Sequence, residues 1–274
     1  MKISLLISTY NWPDALELCL SSVLLQDVMP DEILIADDGS TDETRVLINK
    51  YKEKFSIPLI HIWHEDQGFE LAKIRNKAIA RATGDYIIQI DGDLILHKAF
   101  IRDHRRFAKK GTFVRASRIY IDSNLSKELL LSKRVEISPF EKGISNTFSA
   151  VRITFLQPFF AEHYKQKGDE RWEIHGCNMA YWRADAISVN GYNEDFKGWG
   201  PEDKEFVARL LNKGLRRRFL KFGAIVFHIW HKINTKENLK NNLCLFEHAK
   251  RTKLEYCERG ISQYLTDSTY ENES

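Results

Sequence analysis

The sequence predicts a doubly wound α/β domain built on a mainly parallel sheet. Short apolar runs alternate with stretches of helical spacing through residues 1–93, and Gly or Pro punctuates the joins. Hydroxyl or acidic side chains also stand at the ends of those runs, at Thr9, Asp37/Asp38 and Asp91/Asp93. Ligands of open parallel sheets sit at the carboxyl ends of the strands, so this second observation bears on function as well as fold.

Residues 3–8 (ISLLIS) are almost wholly apolar, as a parallel strand buried on both faces requires. Pro13 stands where a helix can begin, and Ala15, Leu16, Leu18, Cys19, Val23 and Leu24 follow with helical spacing. Residues 33–36 (ILIA) form a second strand, ended by Asp37, Asp38 and Gly39. Ser40 to Asp42 can cap a helix running through Tyr51, and residues 57–63 form a third strand. Gly68 opens a helix over 71–82 that Thr83 and Gly84 stop, and residues 86–90 form a fourth strand ended by Asp91-Gly92-Asp93. Residues 116–170 carry charged and apolar runs without a clean period and read as an irregular connection, with a helix over 159–167. A strand over 177–182, a helix-like turn over 183–189 and a helix over 202–212 follow, the last stopped by Gly214. A strand over 219–229 and a helical stretch over 238–264 close the chain ahead of a polar tail.

A chain of 274 residues can bury a sizeable core, and 43% hydrophobic with 29% charged residues excludes disorder. Lys plus Arg number 41 against 38 Asp plus Glu, a net charge of +3 that is too small for a nucleic-acid partner. Cys19, Cys177, Cys244 and Cys257 form no CxxC pair, so neither a zinc knuckle nor a disulfide framework is expected. They read as free, mostly buried thiols. Ser8, Thr9, Tyr10 and Asn11 interrupt the opening apolar run before a signal segment is complete, and no stretch approaches the ~20 apolar residues of a membrane span. A cytoplasmic protein is expected, with any membrane association peripheral.

Four constellations carry chemistry. Asp91-Gly92-Asp93 after a buried strand can aim two carboxylates at one hard cation, although Asp-Gly-Asp is also ordinary turn chemistry. Asp37-Asp38-Gly39-Ser40 can accept hydrogen bonds from a ribose or a base, or simply cap the following helix. Gly198-Trp199-Gly200-Pro201-Glu202-Asp203 sets an aromatic ring beside carboxylates, a combination suited to sugars, while both acids also favour a helix N-terminus. His228 and His231 lie three residues apart, so they can share a metal only if the backbone turns near His228. Other signals read as structural. Phe155, Phe159 and Phe160 are expected in a core, residues 215–218 (LRRR) as the solvated start of a strand, and Cys177 lacks the partner base a nucleophile needs.

Taken together, these residues resemble the family-two glycosyltransferases with a GT-A fold. The opening ISLLISTYN, the DDGSTD block, Gln67-Gly68, Arg75-Asn76, Ala82-Thr83-Gly84-Asp85 and IDGD agree with that class in content, order and spacing. The second half is similar to the acceptor segment of animal β-1,4-galactosyltransferases, polypeptide N-acetylgalactosaminyltransferases and bacterial chondroitin polymerases. Asn190-Gly191-Tyr192-Asn193-Glu194 followed by GWGPED carries that likeness. The resemblance covers residues 1–95 and 172–232.

The resemblance implies a GT-A domain with a nucleotide-sugar-binding half over 1–115 and an acceptor and catalytic half over 116–235. A C-terminal helical extension and polar tail would occupy 236–274. It implies that Thr9, Tyr10 and Gln67 line the nucleotide-sugar pocket, that Asp38 or its neighbour Asp37 binds the base, usually uracil, and that Arg75 sits near base or diphosphate. Asp91 and Gly92 would face ribose or metal; Asp93, with His228 and His231, would ligate Mn²⁺ or Mg²⁺. Asp203 would be the general base, Glu202 would hold the acceptor or donor sugar, and Trp199 would floor the sugar site. Pro201 stands where many relatives have Gly, which stiffens that loop.

The expected activity is inverting, metal-dependent transfer from a UDP-sugar to a hydroxyl of a saccharide, lipid-linked saccharide or other acceptor, in surface polysaccharide or glycoconjugate synthesis. A sugar-phosphate nucleotidyltransferase would show a Gly-rich phosphate loop near residue 10, where this chain reads STYNWPD. A non-catalytic nucleotide-sugar-binding module would not need both metal candidates and a candidate base.

Overall fold

The apolar runs of the first half fold into the parallel strands at the centre of one sheet. The computed structural model describes residues 1–164, 167–168, 172–232 and 238–265. In order come β1 (Ile3–Thr9), α1 (Pro13–Leu24), β2 (Glu32–Asp37), α2 (Asp42–Lys52), β3 (Leu59–Trp63), α3 (Leu71–Arg81) and β4 (Tyr86–Asp91). β1 pairs in parallel with β2 and β4, so Ser8 stands level with Ala36 and Asp91 and the functional ends of three strands align. Alternate side chains of β1 serve the two faces. Ile3, Leu5 and Ile7 meet Leu16, Cys19 and Val23 of α1 and Ile48 of α2. Leu6 meets Ala72, Ile74 and Ala78 of α3 on the other face. The sheet is therefore doubly wound.

Next come β5 (Leu94–Leu96), α4 (Phe100–Phe107), β6 (Thr112–Ala116), β7 (Ile119–Tyr120), α5 (Ser123–Ser132) and α6 (Thr147–Ala150). A 3₁₀ turn (Thr154–Leu156) runs into α7 (Gln157–Ala161), followed by β8 (Asn178–Trp182), α8 (Arg183–Ser188), α9 (Glu202–Asn212) and β9 (Arg216–Leu220). β10 (Val226–His228), α10 (Leu239–Thr252) and α11 (Ser262–Leu265) complete the described chain. The main sheet has the order β3-β2-β1-β4-β8-β6-β9, and a smaller one the order β5-β10-β7. Among the described strands of the main sheet only β8 runs against its neighbours, which makes the sheet mixed but mainly parallel. β10 runs antiparallel to β5 with His228 opposite Leu94, and this small sheet carries the histidine segment to the end of β4.

Several sequence expectations are corrected. The stretch expected to be irregular contains α5, whose start is capped by Asp122 accepting from the N–H groups of Asn124 and Leu125. The helix expected over 159–167 is instead Gln157–Ala161, started by Pro158 near its first position; residues 165 and 166 lie outside the described residues. The single strand expected over 219–229 is two strands, because Phe222 and Ala224 take left-handed backbone conformations that a strand cannot contain. The helix expected over 238–264 stops at Lys253 for the same reason and resumes only as α11. Arg217 is buried rather than solvated, donating to the Glu173 carbonyl at 2.9 Å. Phe155 and Phe159 stand on the surface. Cys19, Cys177 and Cys257 are buried and Cys244 is exposed, all free. The expected tail over 266–274 lies outside the described residues. No described helix is long and apolar enough to cross a membrane.

Candidate active site

At the carboxyl ends of β1 and β4 a cavity of about 610 Å³ opens between the two halves of the chain. Its wall begins with a tight turn at Gly92. Gly92 N donates to Ser8 O at 2.7 Å, and a Cβ at Gly92 would meet that oxygen at 3.1 Å and Thr9 Cβ at 3.3 Å. The tight reversal sends the chain from β4 into β5 and leaves Asp93 at the bend. Beyond β10 the chain leaves the strand, with Ile229 N donating to Asp93 O at 3.0 Å, and His228 and His231 converge on Asp93 without a tight turn between them. His228 Nε2 lies 3.3 Å and His231 Nε2 3.2 Å from Asp93 Oδ2.

The three ligand atoms all lie within 4.8 Å of one another. Asp93 Oδ1 and His228 Nδ1 are buried without a hydrogen-bond partner, so the cluster is not satisfied by protein alone. Burial favours the neutral form of Asp93, but hydrogen bonds from His228 and His231 outweigh it and hold the carboxyl well below the usual range. One carboxylate and two imidazoles fit a divalent cation that accepts nitrogen beside oxygen, Mn²⁺ better than Mg²⁺.

Arg75 of α3 joins this end of the cavity to the other. Its guanidinium is only 2% exposed, with Nε donating to Ser8 Oγ at 3.2 Å and Nη2 to Asp91 Oδ1 at 3.1 Å. Nη1 donates to Glu202 Oε1 at 3.3 Å, so β1, β4 and the start of α9 share one cation. Next to Glu202, Asp203 Oδ2 accepts from Gly176 N at 2.8 Å and Oδ1 from Lys204 N at 2.7 Å. A Cβ at Gly176 would lie 3.2 Å from Asp203 Cβ, so the close approach favours glycine. Burial, then the neighbouring Asp203, pushes Glu202 up to about 8, with Arg75 opposing. Burial also raises Asp203, against the Gly176 hydrogen bond and Arg75.

The loop ahead of α9 is held from three sides. Gly198 N donates to Phe69 O at 3.1 Å, Lys197 pairs with Glu70, and Asn242 Nδ2 of α10 donates to Lys197 O at 3.0 Å and Trp199 O at 3.1 Å. Trp199, 38% exposed, faces the cavity with Leu239 and Leu243 of α10. Thr9, Tyr10 and Asp38 also line the wall. Asp38 Oδ1 bonds His64 Nε2 at 2.8 Å and Oδ2 accepts from Glu70 N at 3.0 Å. Tyr10 OH donates to Asp66 Oδ2 at 2.8 Å.

Two residues from the sequence reading stand apart from the cavity. Asp37 is fully buried, bonded to His61 Nε2 and Ser40 N at 2.8 Å each. Gln67 is exposed in the loop before α3. Thr9, Tyr10, Asp38, Arg75, Asp91, Gly92, Asp93, Trp199, Glu202, Asp203, His228 and His231 all line it together. Arg118, His175, Gly176 and Lys204 also line it and carried no sequence signal beyond an isolated His-Gly before a strand. Arg118 Nη1 lies 3.4 Å from Cys177 Sγ, and Nη2 donates to Tyr120 OH. Burial, followed by Arg118, Arg115 and Lys204, lowers His175 to about 4 and keeps it neutral.

With that geometry in hand, the likeness to known proteins is consistent across sequence and fold. Residues 4–188 match the family described as Glycosyl transferase family 2, and residues 158–232 match one described as the N-terminal domain of galactosyltransferase. The chain is 24% identical over 238 residues to the chondroitin synthase of Pasteurella multocida, covering 82% of this chain and 24% of that protein. It therefore spans about a quarter of that relative's length. Among solved structures, Staphylococcus aureus TarS 1-349 in complex with UDP superposes with a TM-score of 0.64 at 19% identity, covering 97% of this chain and 70% of that one. The mannosyltransferase PcManGT of Pyrobaculum calidifontis, in complex with GDP-Man and Mn²⁺, gives 0.58 at 18% identity, covering 84% and 57%. At such identities the likeness is one of fold.

Proposed function

The chain belongs to glycosyl transferase family 2, and from that premise we propose that it moves a sugar from a UDP-sugar to an acceptor hydroxyl with inversion, aided by a divalent metal. The product would be a surface polysaccharide or glycoconjugate, made in the cytoplasm. The observation that carries this reading is a single cavity with a cation-ready cluster, Asp93, His228 and His231, at one end. The same cavity holds a carboxylate with raised proton affinity, Asp203. The TarS fold solved with UDP supports the choice of nucleotide.

Asp93, His228 and His231 would hold the cation, which when bound would supply positive charge beside the departing diphosphate. Thr9, Tyr10 and Asp38 receive the nucleoside at the ends of β1 and β2, with Asp37 behind them as a brace for the turn. Arg75 keeps Asp91 and Glu202 in register, and Trp199 covers the apolar face of the sugar. Asp203 takes the proton of the acceptor hydroxyl as that oxygen attacks the anomeric carbon, and the diphosphate departs with the bonding electrons of the opposite bond. A single displacement inverts the centre, so a UDP-α-sugar gives a β-linkage without a covalent enzyme intermediate. In this reading residues 1–115 serve the donor and 116–235 the acceptor. The extension over 236–274 completes the acceptor side through Leu239, Leu243 and Asn242 of α10.

A donor screen tests it: purified protein with Mn²⁺, a panel of UDP-, GDP- and TDP-sugars, and release of free nucleotide. Release of UDP from one UDP-sugar, abolished by EDTA, is expected. Release of GDP or TDP instead would overturn the donor assignment, and no release from any donor with any acceptor would overturn the activity.

A further inference from the structure

Large apolar side chains gather on an exposed face beside the edge strand β9. Phe155 is 79% exposed, Phe159 75% and Phe148 63%. Phe148 and Phe159 are joined through two further rings: Phe148 and Phe160 pack edge-on against Phe222 at 5.1 and 5.6 Å between centroids, and Phe159 against Phe160 at 5.1 Å. Phe155 precedes Phe159 by four residues across the join of the 3₁₀ turn and α7, a spacing that sets side chains on one side of a helical turn. The backbone beneath is tied down, since Ile153 N donates to Phe222 O at 3.0 Å and Gln157 Nε2 to the same oxygen at 3.1 Å. These rings protrude from a hydrogen-bonded turn. A contiguous exposed apolar patch of this kind marks an interaction surface.

The charge around the rings is positive. Lys109, Arg216 and Arg218 reach one carboxylate, Glu162, at 3.8, 4.0 and 2.9 Å, so three cations share one anion. Lys221 adds a fourth, its ammonium 4.9 Å from the Phe160 centroid and 5.3 Å from that of Phe222. The surplus discriminates between partners. A second copy of this chain would bring the same cations face to face, which is repulsive. Anionic headgroups would neutralise them while phenylalanine rings enter the headgroup–acyl boundary. We propose that Phe148, Phe155 and Phe159, rimmed by Lys109, Arg216 and Lys221, dock the protein on an anionic lipid surface.

Vesicle flotation of the full chain tests this without any donor present, so its outcome is separate from that of the donor screen. Binding to phosphatidylglycerol–phosphatidylcholine vesicles but not to pure phosphatidylcholine is expected, weakening at about 0.5 M salt as exposed charges are screened. Phe155→Ser with Phe159→Ser should reduce vesicle affinity about tenfold or more. Lys109→Glu with Arg216→Glu should reduce it about fivefold or more. All four side chains are largely exposed, so unchanged Tm and circular dichroism should accompany both losses. Failure of the wild-type protein to float, or flotation that survives the serine pair, overturns the proposal. So does a concentration-dependent dimer that the serine pair dissociates in the absence of vesicle binding, which would make the face a protein interface.

Discussion

Two acidic turns frame the cavity, and the fold treats them in opposite ways. At the end of β4, Asp93 is partly buried yet held well below the ordinary range by hydrogen bonds from His228 and His231. At the start of α9, Glu202 is buried beside the partly buried Asp203 and is pushed up to about 8. Burial raises the proton affinity of a carboxylate in both places. The difference lies in the neighbours: imidazole donors at one turn, a like charge at the other. A carboxylate kept ionised suits a cation, and one with raised proton affinity suits proton transfer. Asp91 lies between these cases, raised by burial with Arg75 opposing, and Arg75 is the physical link from one turn to the other.

The sharpest way to break the comparison is to remove the proton acceptor and leave the cation end alone. Asp203→Asn should lower kcat by roughly 10²–10⁴ while UDP with Mn²⁺ still raises the melting temperature. Near-normal turnover in this variant would take Asp203 out of the chemistry. Arg75→Met attacks the link instead. It leaves Asp91 and Glu202 without their shared cation, and breaking a buried pair on one side costs on the order of 3–5 kcal/mol. Urea denaturation at pH 9, above the value of about 8 at which Glu202 ionises, should show that loss, and Arg75→Met combined with Glu202→Gln should recover part of it, because Asp91 is then the one carboxylate left without its cation.

At the cation end the two histidines differ in surroundings. His228 is buried on β10 and His231 lies half-exposed beyond the strand. Replacing either by Ala should raise the Mn²⁺ concentration for half-maximal activity by about tenfold or more, and EDTA should remove the UDP-induced thermal shift in the wild-type protein. His228→Ala should also lower Tm, because it empties a packed position, whereas His231→Ala should not. Unchanged Mn²⁺ dependence in both variants would remove the histidine segment from the site.

How much of this was legible in the sequence follows from how local each feature is. β1 to β4 and α1 to α3 announce themselves because a strand buried on both faces is a continuous apolar run and a helix repeats its apolar face. β5 and β7 have three and two residues, too few for any period, and exist through pairing with β10, more than a hundred residues further on. The break after β9 was hidden because Phe222 and Ala224, not glycines, take the left-handed conformations. Asp38 and Asp37 could not be separated in sequence. Only the position of β3, which places His61 against Asp37, shows that one carboxylate braces the turn while the other faces the cavity. Gly176 acts through its backbone N–H and the space of a missing Cβ, neither of which leaves a motif.

The smallest expected effect isolates the electrostatics of the α9 turn from its chemistry. Glu202 binds its proton more tightly in the folded protein than in the unfolded chain, since its folded value is about 8 against an ordinary 4.5. Such a group contributes stability that is fully present below the unfolded value and is lost as pH rises through the folded one. Above pH 8 the folded protein therefore carries a buried, poorly solvated negative charge beside Asp203. Glu202→Gln removes that charge and keeps the shape. Its Tm should exceed the wild-type value by about 3 °C near pH 9, with the gap closing as pH falls toward 5. A thermal denaturation series from pH 5 to 9 on both proteins reads this directly. A gap that is flat with pH would mean that Arg75 neutralises Glu202 fully, so that the two acidic turns differ less than their surroundings suggest.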